Sequence, residues 1–342
     1  MFRQSLFFLS ESETARRLVT GVPIARHLAQ RFVAGETLDE AIAVARSCNQ
    51  HGLSVSLDYL GESVSRREDV EDAVQMARRI VTRIAAEEID ANISIKPTQL
   101  GLGISGELCR ESVARVLDRA REVGNGAGEI FVRLDMESAE YTERTVALVE
   151  GLWARGYRNV GTVLQSCLYR TPNDLRRLMD LGSRVRLVKG AYREPSTVAY
   201  PDKGDVDRRF VEQTHLLLRD GTFPAIATHD EEIINATRRY AFEHGVAKES
   251  FEFQMLYGIR RDLQQRLREE GYRVRVYIPF GEQWYPYLMR RMAERPANLV
   301  FVTGSVLKES PLRWVAKPMA IGAGAVAGAV GALVLRGRRK NE

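Results

Sequence analysis

Eight short apolar runs alternate with amphipathic helical patterns along most of this chain, and that alternation restricts the folds open to it. The runs are Ser54–Leu57, Asn92–Ile95, Ile130–Leu134, Val160–Leu164, Val185–Val188, Ala225–Ala227, Phe251–Met255 and Val274–Ile278. Between them lie 3.6-period patterns such as Val70–Ala86, Ser112–Val123, Thr142–Arg155, Asp174–Asp180, Arg208–Leu218, Glu231–His244 and Ile259–Glu269. Strand, helix and strand in repeating order imply a parallel sheet with helical crossovers. Eight such units over about 240 residues match the size and count of a closed (β/α)₈ barrel. A doubly wound open sheet is the competing architecture, but no strand run here passes directly into the GxGxxG turn that it usually carries. Ahead of the barrel, residues up to about Gln50 read as helix. Ser10 or Ser12 is placed to cap Glu13–Leu18, Ile24–Val33 is amphipathic, and Thr37 with Glu40 makes a capping box for Leu38–His51.

In a barrel of this kind, chemistry sits where strands end, on the C-terminal face. Those positions carry Asp58 and Tyr59, then Lys96, Arg133 with Asp135, Gln165, Arg186 with Lys189, Thr228 with His229, Gln254 and Tyr277. Singly, each has a structural explanation: a long cation reaches the rim, and a histidine caps a turn. Jointly, a polar group at every strand exit predicts a ligand, and the cations among them predict an anionic one.

The stretch Tyr277–Glu294 extends that pattern. It ends a strand, turns at Pro279 and Gly281, and starts a helix near Pro286. On that helix Tyr287, Arg290, Arg291 and Glu294 share one face, while Leu288, Met289, Met292 and Ala293 take the other. Two adjacent guanidinium groups are suited to holding a carboxylate. The plain alternative is a solvated face with a salt bridge.

Composition narrows the class. With 44% hydrophobic and 28% charged residues over 342, the chain has ample material for a core. Of the net charge of +5, the last seven residues from Arg336 hold +3, so the body carries too little to indicate a nucleic-acid surface. Cys48, Cys109 and Cys167 are widely spaced and lack a CxxC pattern, which points to reduced thiols in the cytoplasm. No His, Asp and Glu cluster has metal-ligand spacing, and no catalytic metal is expected. Leu6–Leu9 is too short for a secretory signal, which predicts that the main body is not exported.

The motifs at the strand ends make the chain similar to the monofunctional bacterial proline dehydrogenase family. The resemblance rests on Ser56–Glu62, Ser94–Pro97, Arg133–Glu137, Val163–Gln165, Arg186–Tyr192, Ala227–His229, Phe251–Leu256 and Tyr277–Glu294, in the family's order. It implies a distorted (β/α)₈ barrel that uses FAD to oxidise L-proline to Δ1-pyrroline-5-carboxylate, the first step of proline catabolism to glutamate. Electrons would pass to a quinone or another acceptor. Position by position, it implies that Lys96, Arg290 and Arg291 hold the proline carboxylate, that Tyr277, Tyr287 and Leu256 wall the ring, and that Asp135 buttresses the cations. Met136, Gln165, Arg186, Val188, Lys189, Gly190, Thr228, His229 and Glu294 would contact FAD, with Gly190 leaving room for its approach. Asp135 and Arg186 would act closest to the chemistry, a hydride transfer from proline C5 to flavin N5. Arg193 stands where some relatives carry Trp, which puts a stacking contact in doubt.

The domain reading is an N-terminal helical segment at 1–51, a catalytic barrel at 52–312 and an apolar tail at 313–342. Between Lys317 and Arg336 the tail has 18 uncharged residues, rich in Ala and Gly, ending in a basic cluster. A short membrane span, an interfacial segment and an unfolded tail all remain open. The expected location is the cytoplasm, with contact at the cytoplasmic face of the inner membrane if the tail binds there. Two rival functions stand beside the dehydrogenase: a Schiff-base lyase using Lys96 or Lys189, and a non-catalytic anion-binding or membrane-tethered scaffold.

Overall fold

A computed structural model describes residues 29–124, 129–192 and 194–294, the last three by backbone only. The expected helices Glu13–Leu18 and most of Ile24–Val33, residue Arg193, the Glu294 side chain and the whole tail lie outside that description. Eight strands, β1 (Ser54–Tyr59), β2 (Ala91–Ile95), β3 (Val132–Leu134), β4 (Val160–Gln165), β5 (Val185–Val188), β6 (Ala225–Ala227), β7 (Glu252–Leu256) and β8 (Arg273–Phe280), pair in sequence order into a closed barrel. All pairs are parallel, and β8 closes on β1 from Ser54 opposite Arg275 to Tyr59 opposite Phe280.

The helices are α1 (Leu38–Gln50), α2 (Arg67–Ala86), α3 (Gly106–Val123), α4 (Ala139–Ala154), α5 (Thr171–Asp180), α6 (Lys203–Asp220), α7 (Glu231–Glu243), α8 (Arg261–Glu269) and α9 (Trp284–Glu294). The capping box predicted for α1 is present: Thr37 Oγ1 accepts from the Glu40 N–H, and Glu40 Oε2 accepts from the Thr37 N–H. α1 packs on both β8 and β1, so it covers the seam where the barrel closes. The expected core of α6 grows at both ends. Asp202 accepts from the Gly204 and Asp205 N–H groups and starts the helix earlier than the apolar period alone indicates. Among the described residues, no helix is long and apolar enough to cross a membrane.

Strand alternation sorts the residues. Val55, Leu57, Ile93, Ile95, Val132 and Leu134 belong to the apolar core packed with the helices. Their neighbours Ser56, Asp58, Ser94, Lys96, Arg133 and Asp135 take the opposite side, the barrel interior. Instead of the branched apolar layers usual in such barrels, this interior carries charge.

Candidate active site

The upper interior layer is organised around Arg186 of β5, which is 4% exposed. Its Nη1 donates to Asp135 Oδ1 at 2.8 Å, and its Nη2 to Ser94 Oγ at 3.0 Å and Ser56 Oγ at 3.4 Å. The other oxygen of Asp135 accepts from the Tyr277 hydroxyl at 2.8 Å, and the Arg186 guanidinium lies 5.3 Å from the Tyr277 ring centre. Beside this network Lys96 Nζ donates to both oxygens of Asp58, at 2.7 and 2.9 Å, and both residues are buried. Sequence reading placed Asp135, Arg186, Lys96 and Tyr277 at strand exits, and the structure brings them to one end of one barrel.

Electrostatics fix the protonation states. Burial opposes the Lys96 ammonium, but the carboxylates of Asp58 and Asp135 outweigh it and hold its pKa above the usual lysine value. Burial pushes the Asp58 carboxyl upward against Lys96, and Asp135 adds to the rise. Burial, with Asp135 and Asp58 alongside, lifts the Tyr277 phenol well above its ordinary value, so it remains a protonated donor. A lysine held as ammonium is a poor imine-forming nucleophile, and Lys189 sits between Asp207 at 2.5 Å and Asp230 at 3.0 Å. Lys96 therefore lacks the depressed pKa that a Schiff-base lyase requires, and Lys189 is engaged by two carboxylates.

Helix α9 brings its polar face to the same end. Arg290 Nη1 donates to Glu62 Oε1 at 2.6 Å, across to the loop after β1. Burial opposes the Arg290 charge, and Glu62 more than restores it. The Arg291 guanidinium lies 5.3 Å from the Tyr287 ring centre. Leu256 ends β7, and its N–H donates to His229 Nε2 at 2.9 Å, which leaves Nδ1 as the protonated nitrogen of a neutral ring. Tyr192 stands within the field of Glu62 and Arg290, and burial first, then Glu62, pushes its phenol up.

The residues expected around FAD follow the ends of β3 to β6. Gln165 Nε2 donates to the Glu137 carbonyl at 2.9 Å, and Thr228 Oγ1 accepts from the Asp230 N–H at 3.1 Å. Met136 is buried and Val188 half-buried. Arg186 Nε is buried with no hydrogen-bond partner among the described residues. An amide, a guanidinium, an ammonium and a hydroxyl beside apolar Met136 and Val188 suit a ligand with carbonyl and phosphate oxygens on a flat apolar body, so these residues fit a flavin dinucleotide.

Gly190 has a φ of +113°, and a Cβ there would stand 2.4 Å from Cys167 Sγ. The backbone and Cys167 require the glycine. Arg133 and Gln254 were placed at the mouth, yet Arg133 donates to the carbonyls of Thr162 and Arg184, and Gln254 to Glu252 at the start of β7. Both belong to a lower layer, because their long side chains turn back along the barrel axis. Sequence reading missed Glu62, Tyr192, and the serines Ser56 and Ser94. The serines had a signal, since each lies two residues before a strand-exit charge on the same strand face.

Comparison with known proteins agrees with this geometry. A family profile described as proline dehydrogenase matches residues 41–304. The chain is 38% identical over 309 residues to Proline dehydrogenase 1 of Bacillus subtilis subsp. natto, covering 90% of this chain and 100% of that one. It is 42% identical over 286 residues to the proline dehydrogenase of Deinococcus radiodurans, covering 82% of this chain and 91% of that one. Among solved structures, proline utilization A (PutA) from Bdellovibrio bacteriovorus, inactivated by N-propargylglycine, superposes with a TM-score of 0.71 at 27% identity over 84% of this chain, which spans 34% of that longer one. A closed eight-stranded barrel, a profile match over most of the chain and relatives at this identity lead to one conclusion: the chain belongs to the proline dehydrogenase family.

Proposed function

We propose that this protein oxidises L-proline to Δ1-pyrroline-5-carboxylate with bound FAD. The observation that carries the reading is one barrel end where the Lys96 ammonium and the Arg290 guanidinium flank the Arg186–Asp135–Tyr277 network. In this reading Lys96, Arg290 and Arg291 bind the proline carboxylate, and charge-assisted bonds from fixed donors orient the ring. Arg290 exchanges Glu62 for the substrate carboxylate. Tyr277, Tyr287 and Leu256 wall the pyrrolidine and keep water from it. The ring nitrogen must be neutral for its lone pair to form the C=N bond, and removal from water within the walled pocket disfavours its protonated form.

Gln165, Arg186, Lys189, Thr228 and His229, with Met136, Val188, Gly190 and Glu294, would hold the cofactor. Bound FAD would supply two-electron acceptance, taking up the hydride that leaves proline C5. Arg186 and Lys189 would direct N–H donors toward the cofactor, which would favour its electron-rich form. A quinone-type molecule would take the electrons onward.

The purified protein is expected to show a flavin absorption spectrum that L-proline bleaches and a quinone restores. N-propargylglycine, which inactivates the Bdellovibrio bacteriovorus PutA, is expected to inactivate this protein progressively. A colourless protein, or a flavin untouched by proline, would overturn the reading.

The clamp has its own test. Arg290→Lys and Arg291→Lys should each raise the proline KM about tenfold or more, since lysine cannot reproduce a bidentate fork. Steady-state kinetics with unchanged KM in both variants would remove the two arginines from the carboxylate site.

A further inference from the structure

The end of the barrel opposite the candidate active site carries a second charged layer that the proposed reaction does not use. Glu252, at the start of β7, accepts twice from Arg275 Nε at 3.0 Å, and Gln254 donates to it as well. Arg133, 1% exposed, donates to the backbone oxygens of Thr162 at 3.1 Å and Arg184 at 2.6 Å. Its Nε is buried with no hydrogen-bond partner among the described residues.

Two phenylalanines tie further arginines to this layer. The Arg133 and Arg184 guanidinium groups lie 4.7 and 5.1 Å from the Phe131 ring centre. Arg184 and Arg273 lie 5.2 and 5.3 Å from that of Phe223. Phe131 and Arg184 immediately precede β3 and β5, Phe223 comes just before β6, and Arg273 begins β8, so the group sits at the N-terminal ends of the strands. Four guanidinium groups here surround one carboxylate, Glu252, a formal excess of three positive charges. Among the described residues, no carboxylate pairs with Arg133, Arg184 or Arg273.

We propose that this cluster binds a small oxyanion of the phosphate class, gripped by the exposed Arg184 and Arg273 at the rim, with Arg133 and Arg275 supplying positive field beneath. Guanidinium forks match phosphate oxygens in pairs, and stacking on Phe131 and Phe223 fixes the planes of the forks beforehand. Burial first, then Arg186 and Arg275, works against the Arg133 charge, with Glu252 and Asp135 opposing. Arginine keeps its charge nonetheless, so a bound anion relieves repulsion that the fold otherwise carries. On this face of a (β/α)₈ barrel the effect is on stability rather than on turnover.

The test compares thermal unfolding of the full-length, flavin-loaded protein in sodium phosphate and in sodium chloride at equal ionic strength. Phosphate is expected to raise Tm by about 2–4 °C in a saturable way. The R184Q/R273Q variant is expected to lose that rise while keeping proline turnover. Chloride equalling phosphate would overturn the proposal. An undiminished rise in the double variant would also overturn it, by assigning the anion to another site. If the double variant does not fold, the single variants R184Q and R273Q carry the test. Each should raise the half-saturating phosphate concentration about tenfold, and an unchanged value in both would overturn the site.

Discussion

Asp135→Ala is expected to lower kcat/KM for proline by about 10²- to 10³-fold. Asp135 accepts from two donors on different strands of the barrel, Arg186 of β5 and Tyr277 of β8, each at 2.8 Å. Removing it leaves a buried guanidinium with only the Ser56 and Ser94 hydroxyls, and a half-buried phenol that has lost its Asp135 acceptor. Truncating one partner of a buried, hydrogen-bonded charge pair costs about 2–5 kcal/mol, mostly from the charge left behind. Each 1.36 kcal/mol that reaches the transition state is a factor of ten. The two donors would then drift from positions that both the substrate ring and the cofactor are expected to use. Two controls divide the effect. Tyr277→Phe removes one of the two bonds and no charge, and should cost about tenfold or less. Asp135→Asn keeps an oxygen for one donor but turns an NH₂ toward the other, and should fall between them. Stopped-flow reduction and steady-state kinetics read all three variants. Asp135→Ala kinetics within threefold of the parent would show that the network is structural packing with no grip on the reaction.

The fold was legible because the eight apolar runs and the intervening helical periods are strong, regular signals. What they register is the outward face of each strand, as with Val55, Leu57 and Ile93. Ends were harder. β8 continues to Phe280 because it pairs with Tyr59 past the apolar run, and pairing partners are not encoded locally. Within the site, a shared strand end or helix face could be read from spacing, which is how Lys96, Asp135, Arg186, Tyr277 and Arg290 were found. Partnership could not. Glu62 and Arg290 are 228 residues apart, and nothing near either names the other. Direction along the barrel axis was equally hidden. Arg133 and Asp135 share a strand face, yet Asp135 joins the upper layer while Arg133 reaches the carbonyls below. Parity gives the face, and a side chain as long as arginine then chooses its end of the barrel according to where acceptors lie.

Lys96→Met should separate the structural from the substrate-binding role of the Lys96–Asp58 pair. Lys96 Nζ contacts both Asp58 oxygens, and Asp58 is 1% exposed, so the methionine leaves a buried carboxylate without its counter-ion. The expected loss is about 3–5 kcal/mol of stability at neutral pH. The sign with pH follows from the carboxyl itself. Burial already raises the Asp58 pKa against the pull of Lys96, and removing Lys96 raises it further. A carboxyl whose folded pKa lies above its unfolded value stabilises the fold below the unfolded pKa and loses that contribution as pH rises through the folded one. The variant should therefore be most stable in mild acid and weaken toward pH 8, by up to about 1.36 kcal/mol per pH unit. Asp58→Asn on the Lys96→Met background removes the titrating group, so stability at neutral pH should largely return and its pH slope flatten. Proline binding should not return, because the neutral pair offers no cation to the substrate carboxylate, and the KM should stay raised about tenfold or more. Thermal unfolding across pH, set beside the proline KM of both variants, tests each half. A Lys96→Met protein as stable as the parent at pH 8 would remove the stabilising role of the pair. A double variant that recovers the parent KM would confine Lys96 to holding Asp58 and leave the carboxylate to the arginines of α9.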